Sequence, residues 1–360
     1  IRDISTKKLV TEKIEETSPI QLPDQLGFGK IFTDRMFSQN FNRESGWHNQ
    51  LIGHKRNFEL PPSCTVFHNG QMVFDGTKAY RAKDGKINLF RTKENIQRFN
   101  LSAKRMGMPE VDSVLHFEAI KKLVDLEKKW VPNTAGSALY IRPVMIATEP
   151  TLEVRASDQY LHYIILSPVA PYFDSGFNPI SVLVADKFVR STPGGTGEAK
   201  TPGNYAGSIA ATETALKKGY QQVLWLDALH REYIDEVGAM NIAFVERGEH
   251  IVTPELNGAI LHGITRDSIK TLAPKLGFGF SEKKISINEV IEKIKSEEIT
   301  EIFGMGTGAV VAPIGKLFYK DQEIEINNGN SGKVAKTIYN SLTAIQYGIE
   351  KDPFNWIYPI

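Results

Sequence analysis

The chain holds a single cysteine, Cys64, among its 360 residues. That excludes an intramolecular disulfide and, with it, a cysteine-rich metal site. Long apolar runs are missing too. Nothing approaches the ~18 residues of a membrane-spanning helix, and the most apolar stretch, Tyr163 to Val169, is interrupted by Ser167 and Pro168. Nor is there an excess of one charge: Lys plus Arg number 43 against 42 for Asp plus Glu. No bulk field therefore favours nucleic acid or an anionic membrane as partner. Lys7-Lys8 and Lys128-Lys129 are short pairs set among acids and read as solvated faces. No internal repeat and no low-complexity tract is present, and the first residues lack the apolar core of a signal peptide. A cytoplasmic protein is expected, with targeting left open because the chain begins at Ile1 rather than Met.

What remains is an ordinary globular composition, 41% hydrophobic and 24% charged. Single cores stop growing near ~250–300 residues, so two domains are expected. Residues 1–30 are polar and hold Pro19, Pro23, Gly27 and Gly29, which suggests a loosely structured arm. Apolar residues at three- and four-residue steps predict helices over 95–106 and 113–130, the second with Val114, Phe117, Ile120, Leu123 and Val124 on one side. Strands are expected at 87–91, 137–146 and 160–166. Residues 168–180, rich in proline, form the best candidate linker. It separates a domain of 1–167 from one of 181–360. Beyond it, strands at 181–185, 222–226 and 243–246 alternate with helices at 205–218, 265–276, 287–296 and 333–347. The class is mixed α and β.

The most informative stretch is Pro193-Gly194-Gly195-Thr196-Gly197-Glu198-Ala199-Lys200-Thr201-Pro202-Gly203-Asn204-Tyr205. Four glycines and two prolines surround one lysine just ahead of a helix. A lysine in so restricted a turn can be aimed inward, and burial disfavours its ammonium form. A neutral amine is what Schiff-base chemistry with an aldehyde cofactor requires. The same pattern also fits a surface lysine in a plain turn. A nucleotide phosphate loop is discounted, because its Gly-Lys-Ser/Thr junction is missing. Leu261 to Ser268 looks like a loop entering a helix near Thr265, and a helix start binds phosphate through backbone N–H groups. Phe303 to Ala309 is a second glycine-rich turn, with Thr307 placed to donate a hydroxyl. Glu236, beside an apolar run, is either a strand-end acid or a carboxylate facing a protonated ring nitrogen.

Taken together, Tyr140-Ile141-Arg142-Pro143, Lys200 to Tyr205, Glu236 to Asn241, Leu261 to Arg266 and Gly304 to Thr307 resemble the branched-chain aminotransferases of the fold-type IV class that depend on pyridoxal phosphate (PLP). Gln222 to Leu226 and Ile345 to Gly348 resemble the same family, and the likeness runs from about Phe28 onward. It implies an α+β fold of two domains, D-amino-acid-aminotransferase-like, with a smaller N-terminal α/β domain and a larger, barrel-like C-terminal one. By this resemblance Lys200 would bind PLP covalently and carry the proton between substrate and cofactor. Glu236 would pair with the ring nitrogen, and Tyr205 would sit near the phenolic oxygen. Arg98, Ile264, Thr265 and Thr307 would hold the phosphate.

Tyr140 and Arg142 lie two apart, so on a strand they share a face. The family logic is dual recognition, one pocket taking an aliphatic side chain or the carboxylate of glutamate. Arg142 is the natural partner for that carboxylate. Phe28, Phe74, Tyr172 and Met240 are candidates for the apolar wall, with Ala239 and Gly308 offering backbone contacts. The resemblance also implies a homodimer, no metal, and a reversible transfer of the amino group of leucine, isoleucine or valine to 2-oxoglutarate.

Three departures stand out. Asn69, in His68-Asn69-Gly70, occupies a place where relatives usually carry tyrosine, which puts substrate affinity in doubt. Read locally, Thr65 to Phe74 suggests a hairpin with an Asn-Gly turn, but the family starts a helix here and the helix is the expectation. Ala239 stands where some relatives have threonine, and Ala309 and Ala312 replace a Cys-x-x-Cys pair, which excludes a thiol switch there. The rival readings are a D-amino-acid aminotransferase, an aminodeoxychorismate lyase, or a PLP-binding protein without turnover.

Overall fold

A computed structural model of the chain describes residues 9–13, 22–23, 26–172 and 177–360. Residues 1–8, 14–21 and 24–25 of the expected arm, and 173–176 of the expected linker, lie outside these. The chain divides into two compact units. One comprises Ile1–Pro171, Ala199–Pro202 and Gln346–Ile360; the other comprises Tyr172–Glu198 and Gly203–Ile345. Strand Ile357–Pro359 pairs with Ile87–Phe90 and so returns the C-terminal segment to the first. Among the described residues no helix is long and apolar enough to cross a membrane.

The first unit is built on a nine-stranded sheet in the order Val10–Thr11, Gly46–His54, Arg35–Asn42, Gln159–Val169, Ala138–Ala147, Thr77–Arg81, Ile87–Phe90, Ile357–Pro359. Met72–Phe74 also pairs with Ala138–Ala147. Helix Ser113–Leu126 begins where Asp112 accepts from the Val114 and Leu115 N–H groups, a cap worth about 1 kcal/mol. Its buried stripe is His116, Ala119, Ile120, Leu123 and Val124, at the spacing of an amphipathic helix. Val114, expected on that stripe, is instead 75% exposed, because in the first turn it faces away from the sheet. Strand Gln159–Val169 runs two residues into the expected linker, with Pro168 opposite Leu139.

Pro143 explains a detail of the sheet that matters for the site. It lies inside Ala138–Ala147 and has no N–H to give the ladder. Opposite it the neighbouring strand is interrupted: Phe74 pairs with Val144, Thr77 pairs with Ile141, and Asp75 and Gly76 fall in the gap. The Asp75 N–H donates to the Pro143 carbonyl at 3.0 Å.

The second unit carries a mixed nine-stranded sheet in the order Ile234–Val237, Gln222–Leu226, Ile180–Val184, Val310–Tyr319, Ile299–Gly306, Asn241–Glu246, His250–Pro254, Gly279–Lys283, with Gln322–Glu325 beside Val310–Tyr319. Val182, Leu224, Ile242, Phe244, Ile314 and Leu317 lie in its core. The single helix expected over 205–218 is two, Pro202–Ala206 and Ile209–Lys217. The break falls at Gly207-Ser208, where the Ser208 hydroxyl donates to the Tyr205 carbonyl at 2.7 Å. This is a local bond that competes with helix continuation.

Candidate active site

Lys200 belongs to the first unit, where its short segment is stitched down by its backbone. The Lys200 carbonyl accepts from the Phe74 N–H at 3.0 Å. Its own N–H donates to Ser102 Oγ at 2.9 Å, and Thr201 Oγ1 donates to the Met72 carbonyl at 2.8 Å. With the backbone fixed on both sides, the side chain is aimed: Lys200 Nζ lies 5.3 Å from the Phe74 ring centroid. The Arg142 guanidinium lies 4.7 Å from the same centroid and 5.2 Å from that of Tyr140, and donates to the Tyr140 hydroxyl at 3.1 Å. Phe28 packs edge-on against Tyr140 at 5.0 Å. Phe28, Phe74, Tyr140, Arg142 and Lys200 thus form one neighbourhood.

Helix Thr92–Arg105 supplies Asn95, Arg98 and Ser102 to this region. Arg98 grips the fully buried Asp75 with two nitrogens, Nε to Oδ2 at 2.9 Å and Nη2 to Oδ1 at 2.7 Å. Asn95 Nδ2 and the Gly76 N–H add bonds to Oδ1 at 2.9 and 2.7 Å. Burial alone would raise the Asp75 carboxyl. The charge and hydrogen bonds of Arg98, the charge of Lys200 and the Asn95 bond outweigh it and hold the group below the usual carboxylate range. Gly76 must be glycine: a Cβ there would overlap the Tyr140 hydroxyl oxygen. Asp75 was not identified from sequence; the Asp-Gly pair opposite a mid-strand proline is the signal that marks it.

In the second unit the centre is Glu236, on strand Ile234–Val237 and only 3% exposed. Its Oε1 accepts from the Leu261 N–H at 2.9 Å and from Asn241 Nδ2 at 3.2 Å. Arg190 Nε lies 3.0 Å from Oε2, a close ionic contact without the alignment of a hydrogen bond. Arg190 also donates through Nη2 to Ser191 Oγ at 3.1 Å and to the Ala259 carbonyl. Sequence reasoning missed Arg190, whose partners Glu236 and Ala259 lie far along the chain, and gave no role to Asn241, although Glu236 stands close before it in sequence. Asn241 further donates to the Leu261 carbonyl at 3.0 Å and passes so close beneath Gly263 that a Cβ there would overlap its Oδ1.

Gly263 is the N-cap of helix Ile264–Leu272, and no side chain caps this start. Thr265 is buried in its first turn. Arg266 anchors the helix through the Pro254 carbonyl at 3.0 Å and Glu282 at 2.8 Å. The glycine-rich loop ahead of Lys200 is tied back by Asn204 Nδ2 to the Thr196 carbonyl and Thr196 Oγ1 to Asn204 Oδ1, at 2.8 and 2.7 Å. Tyr205 is half-buried just beyond. Thr307 and Gly308 sit in the turn after strand Ile299–Gly306, and a Cβ on Gly308 would touch the Tyr172 ring at 2.9 Å. Met240 belongs to the core of this unit at 7% exposure, whereas Ala239 is exposed at the preceding turn.

These groups suit PLP by kind. The cofactor needs an amine, donors for a phosphate and an anion for a protonated ring nitrogen. Lys200, a helix start that no side chain caps, and a buried carboxylate held by donors are each present.

The sequence matches the Amino-transferase class IV family over residues 72–317. It is 46% identical to branched-chain-amino-acid aminotransferase 2 of Bacillus subtilis, over 98% of this chain and 97% of that one. Branched-chain-amino-acid transaminase 1 of the same organism is 48% identical over 93% and 94%. Among solved structures, the branched-chain amino acid aminotransferase of Escherichia coli superposes with a TM-score of 0.74 at 25% identity, covering 90% of this chain and 98% of that one. The branched-chain amino acid aminotransferase of Thermobaculum terrenum in its PLP form shares the fold, with a TM-score of 0.71 at 20% identity, covering 91% and 99%.

Proposed function

Because the chain belongs to the Amino-transferase class IV family, we infer that it is a PLP-dependent branched-chain aminotransferase. It transfers the amino group of L-leucine, L-isoleucine or L-valine reversibly to 2-oxoglutarate. The observation that carries this is near-complete alignment with two branched-chain aminotransferases at 46% and 48% identity. The α+β fold of two units agrees with the same class.

Bound PLP supplies an aldehyde carbon that captures the substrate amine and a ring that spreads the electrons released at Cα. The rest is the work of this chain's residues. Lys200 Nζ accepts the proton leaving Cα and returns it to the acceptor carbon. Its backbone bonds to Phe74 and Ser102 keep the amine's origin fixed while its side chain moves. Glu236 would hold a proton on the ring nitrogen, and the Leu261 N–H, Asn241 and Arg190 keep its carboxylate in place. The helix start at Gly263-Ile264-Thr265 and Thr307 would hold the phosphate, with Arg98 a further candidate from the first unit, and Tyr205 would serve the phenolic oxygen. Arg142 and Tyr140 bind a substrate carboxylate, while Phe28, Phe74 and Tyr172 accept an aliphatic side chain.

A homodimer belongs to this reading. Phe67, Leu152 and Val154 are exposed at 61%, 65% and 90%. They stand on a helix and a loop joined by bonds from Thr65 to the Glu149 carbonyl and from Asn69 to the Glu153 carbonyl. Such neighbouring apolar residues suit a protein interface. The bacterial relatives support a cytoplasmic location.

The test is a half-reaction on the purified holoenzyme. L-Leucine and L-glutamate should each bleach the cofactor absorbance, D-alanine should not, and Lys200→Ala should slow the change by at least ~10³-fold. Turnover of D-alanine without L-leucine would overturn the assignment.

A further inference from the structure

The second unit holds a cleft of about 260 Å³ that shares no residue with the candidate active site. Its floor is one row across three strands: Leu183, on Ile180–Val184, is the register partner of both Val223 and Phe318. Facing this row is helix Ile209–Lys217, which turns Ala211 and Thr214 toward the cleft. Side chains so small leave the space between helix and sheet unfilled. One wall is the segment Asp186-Lys187-Phe188 that follows the strand, with Phe188 42% exposed. The other is the turn Lys320-Asp321 between Val310–Tyr319 and Gln322–Glu325.

The rim is cationic and its cations are placed. Lys218, the C-cap of the helix, holds Nζ 5.4 Å from the Phe318 ring centroid. Lys320 holds Nζ 5.0 Å from that of Tyr319. Tyr220 stacks on Phe318 at 5.1 Å and is itself fixed by a bond from its hydroxyl to Glu323 at 2.9 Å, so the platform under Lys218 is rigid. Three lysines (Lys187, Lys218, Lys320) line the cleft against two aspartates (Asp186, Asp321), an excess of one positive charge above an apolar floor.

We propose that this cleft is a binding site for a small aliphatic monocarboxylate, its carboxylate between Lys218 and Lys320 and its tail on Leu183, Val223, Ala211 and Phe318. At about 260 Å³ the cleft lies just below the range usual for pockets of drug-sized ligands, which suits a small acid. The single surplus cation matches a monoanion. A dicarboxylate would press its second charge onto the apolar floor, which desolvation opposes. Branched-chain 2-oxo acids, the products of the proposed reaction, belong to this chemical class, so the site suits an effector drawn from that pool. Binding itself does not rest on the assigned reaction.

The probe is 4-methylpentanoate, which has neither amine nor 2-oxo group and cannot turn over. Holoenzyme crystals soaked with it should show the acid in the cleft. Calorimetric titration should give a binding event that weakens at least about tenfold in Lys218→Glu combined with Lys320→Glu, while the L-leucine half-reaction keeps its wild-type rate. The neutral amide of the same acid should bind the wild type poorly. Density only beside Lys200, undiminished affinity in the double variant, or equal binding of the amide would each overturn the proposal. Occupied clefts in a protein inert to L-leucine would sink the aminotransferase assignment and leave this site standing.

Discussion

The region around Lys200 in the first unit and the region around Glu236 in the second hold their charges by different means. In the first, the cations rest on rings: Lys200 and Arg142 lie over Phe74, and Arg142 also over Tyr140. Their region has one buried carboxylate, Asp75, held by the side chains of Arg98 and Asn95. In the second, a buried ion pair, Glu236 with Arg190, is shared out among main-chain and neutral groups. Glu236 takes the Leu261 N–H and the Asn241 amide, and Arg190 gives its remaining donors to the Ala259 carbonyl and the Ser191 hydroxyl. Side chains therefore dominate around Asp75, whereas around Glu236 main-chain groups share the work with the Asn241, Arg190 and Ser191 side chains. The first should be fragile to single substitutions, and the second forgiving of isosteres.

The sharpest way to break the comparison is Asp75→Ala. It leaves Arg98, 6% exposed, as a buried cation without its carboxylate, a change that typically costs 3–5 kcal/mol, about the largest expected of any single change here. Denaturant unfolding should report a loss of that order, with weaker retention of PLP. Glu236→Gln should behave differently. The amide keeps an oxygen for the Leu261 N–H, and Arg190, although it loses its ion pair with Glu236, keeps the Ala259 carbonyl and the Ser191 hydroxyl as acceptors, so stability should fall by less, about 2 kcal/mol. Turnover should nevertheless drop roughly 10²-fold, because a neutral amide no longer stabilises a protonated ring nitrogen. Equal unfolding losses in the two variants would erase the distinction between the halves.

What the sequence disclosed follows the same division. Local patterns were readable: the restricted lysine loop, the shared face of Tyr140 and Arg142, and the glycine-led start of helix Ile264–Leu272. The helix at Thr65–Asn69, which the family likeness implied over a local hairpin, is present, with Gly70 in the left-handed conformation at its end. What stayed hidden are pairings that chain separation disguises. Asp75 meets Arg98 only because helix Thr92–Arg105 folds back over the gap opposite Pro143. Arg190 meets Glu236 only through sheet order. The return of residues 346–360 to the first unit depends on an edge pairing, Ile357 to Phe90, for which no periodicity exists.

A further contrast lies inside the first unit, between the buried Asp75–Arg98 ion pair and a pair of buried histidines. His116 and His162 are 1% and 0% exposed, with ring centroids 4.7 Å apart and both packed on Phe99. Burial pushes His116 down to about 3, against an upward pull from Asp75, and pushes His162 well below its ordinary value of 6.5. As pH falls below about 6.5, the unfolded chain takes up protons at both residues while the folded chain does not, so stability declines. Asp75, depressed below its ordinary value, adds its own loss only below about 4. The melting temperature should therefore fall steadily from pH 6.5 toward 4.5. His116→Leu, which removes one of the two groups, should flatten that slope. A slope identical to the wild type would mean that the histidines are not its source.

The smallest expected effect bears on the departure at Asn69. The side chain is exposed, and its Nδ2 donates to the Glu153 carbonyl at 2.9 Å. That tie shares its task with Arg155, which bonds Glu153 at 2.6 Å and Glu149 at 2.5 Å. Removing one exposed bond from a loop held by several should cost at most about 1 kcal/mol. Asn69→Ala should accordingly leave the KM for L-leucine within about twofold, since the residue positions a loop and does not hold the carboxylate. Tyr140→Phe, which deletes the partner of Arg142, should raise KM several-fold more through the lost charge-assisted bond. If instead Asn69→Ala raises KM about tenfold, or roughly 1.4 kcal/mol, the amide contacts substrate directly. The side-chain-built half would then extend to the Asn69 loop.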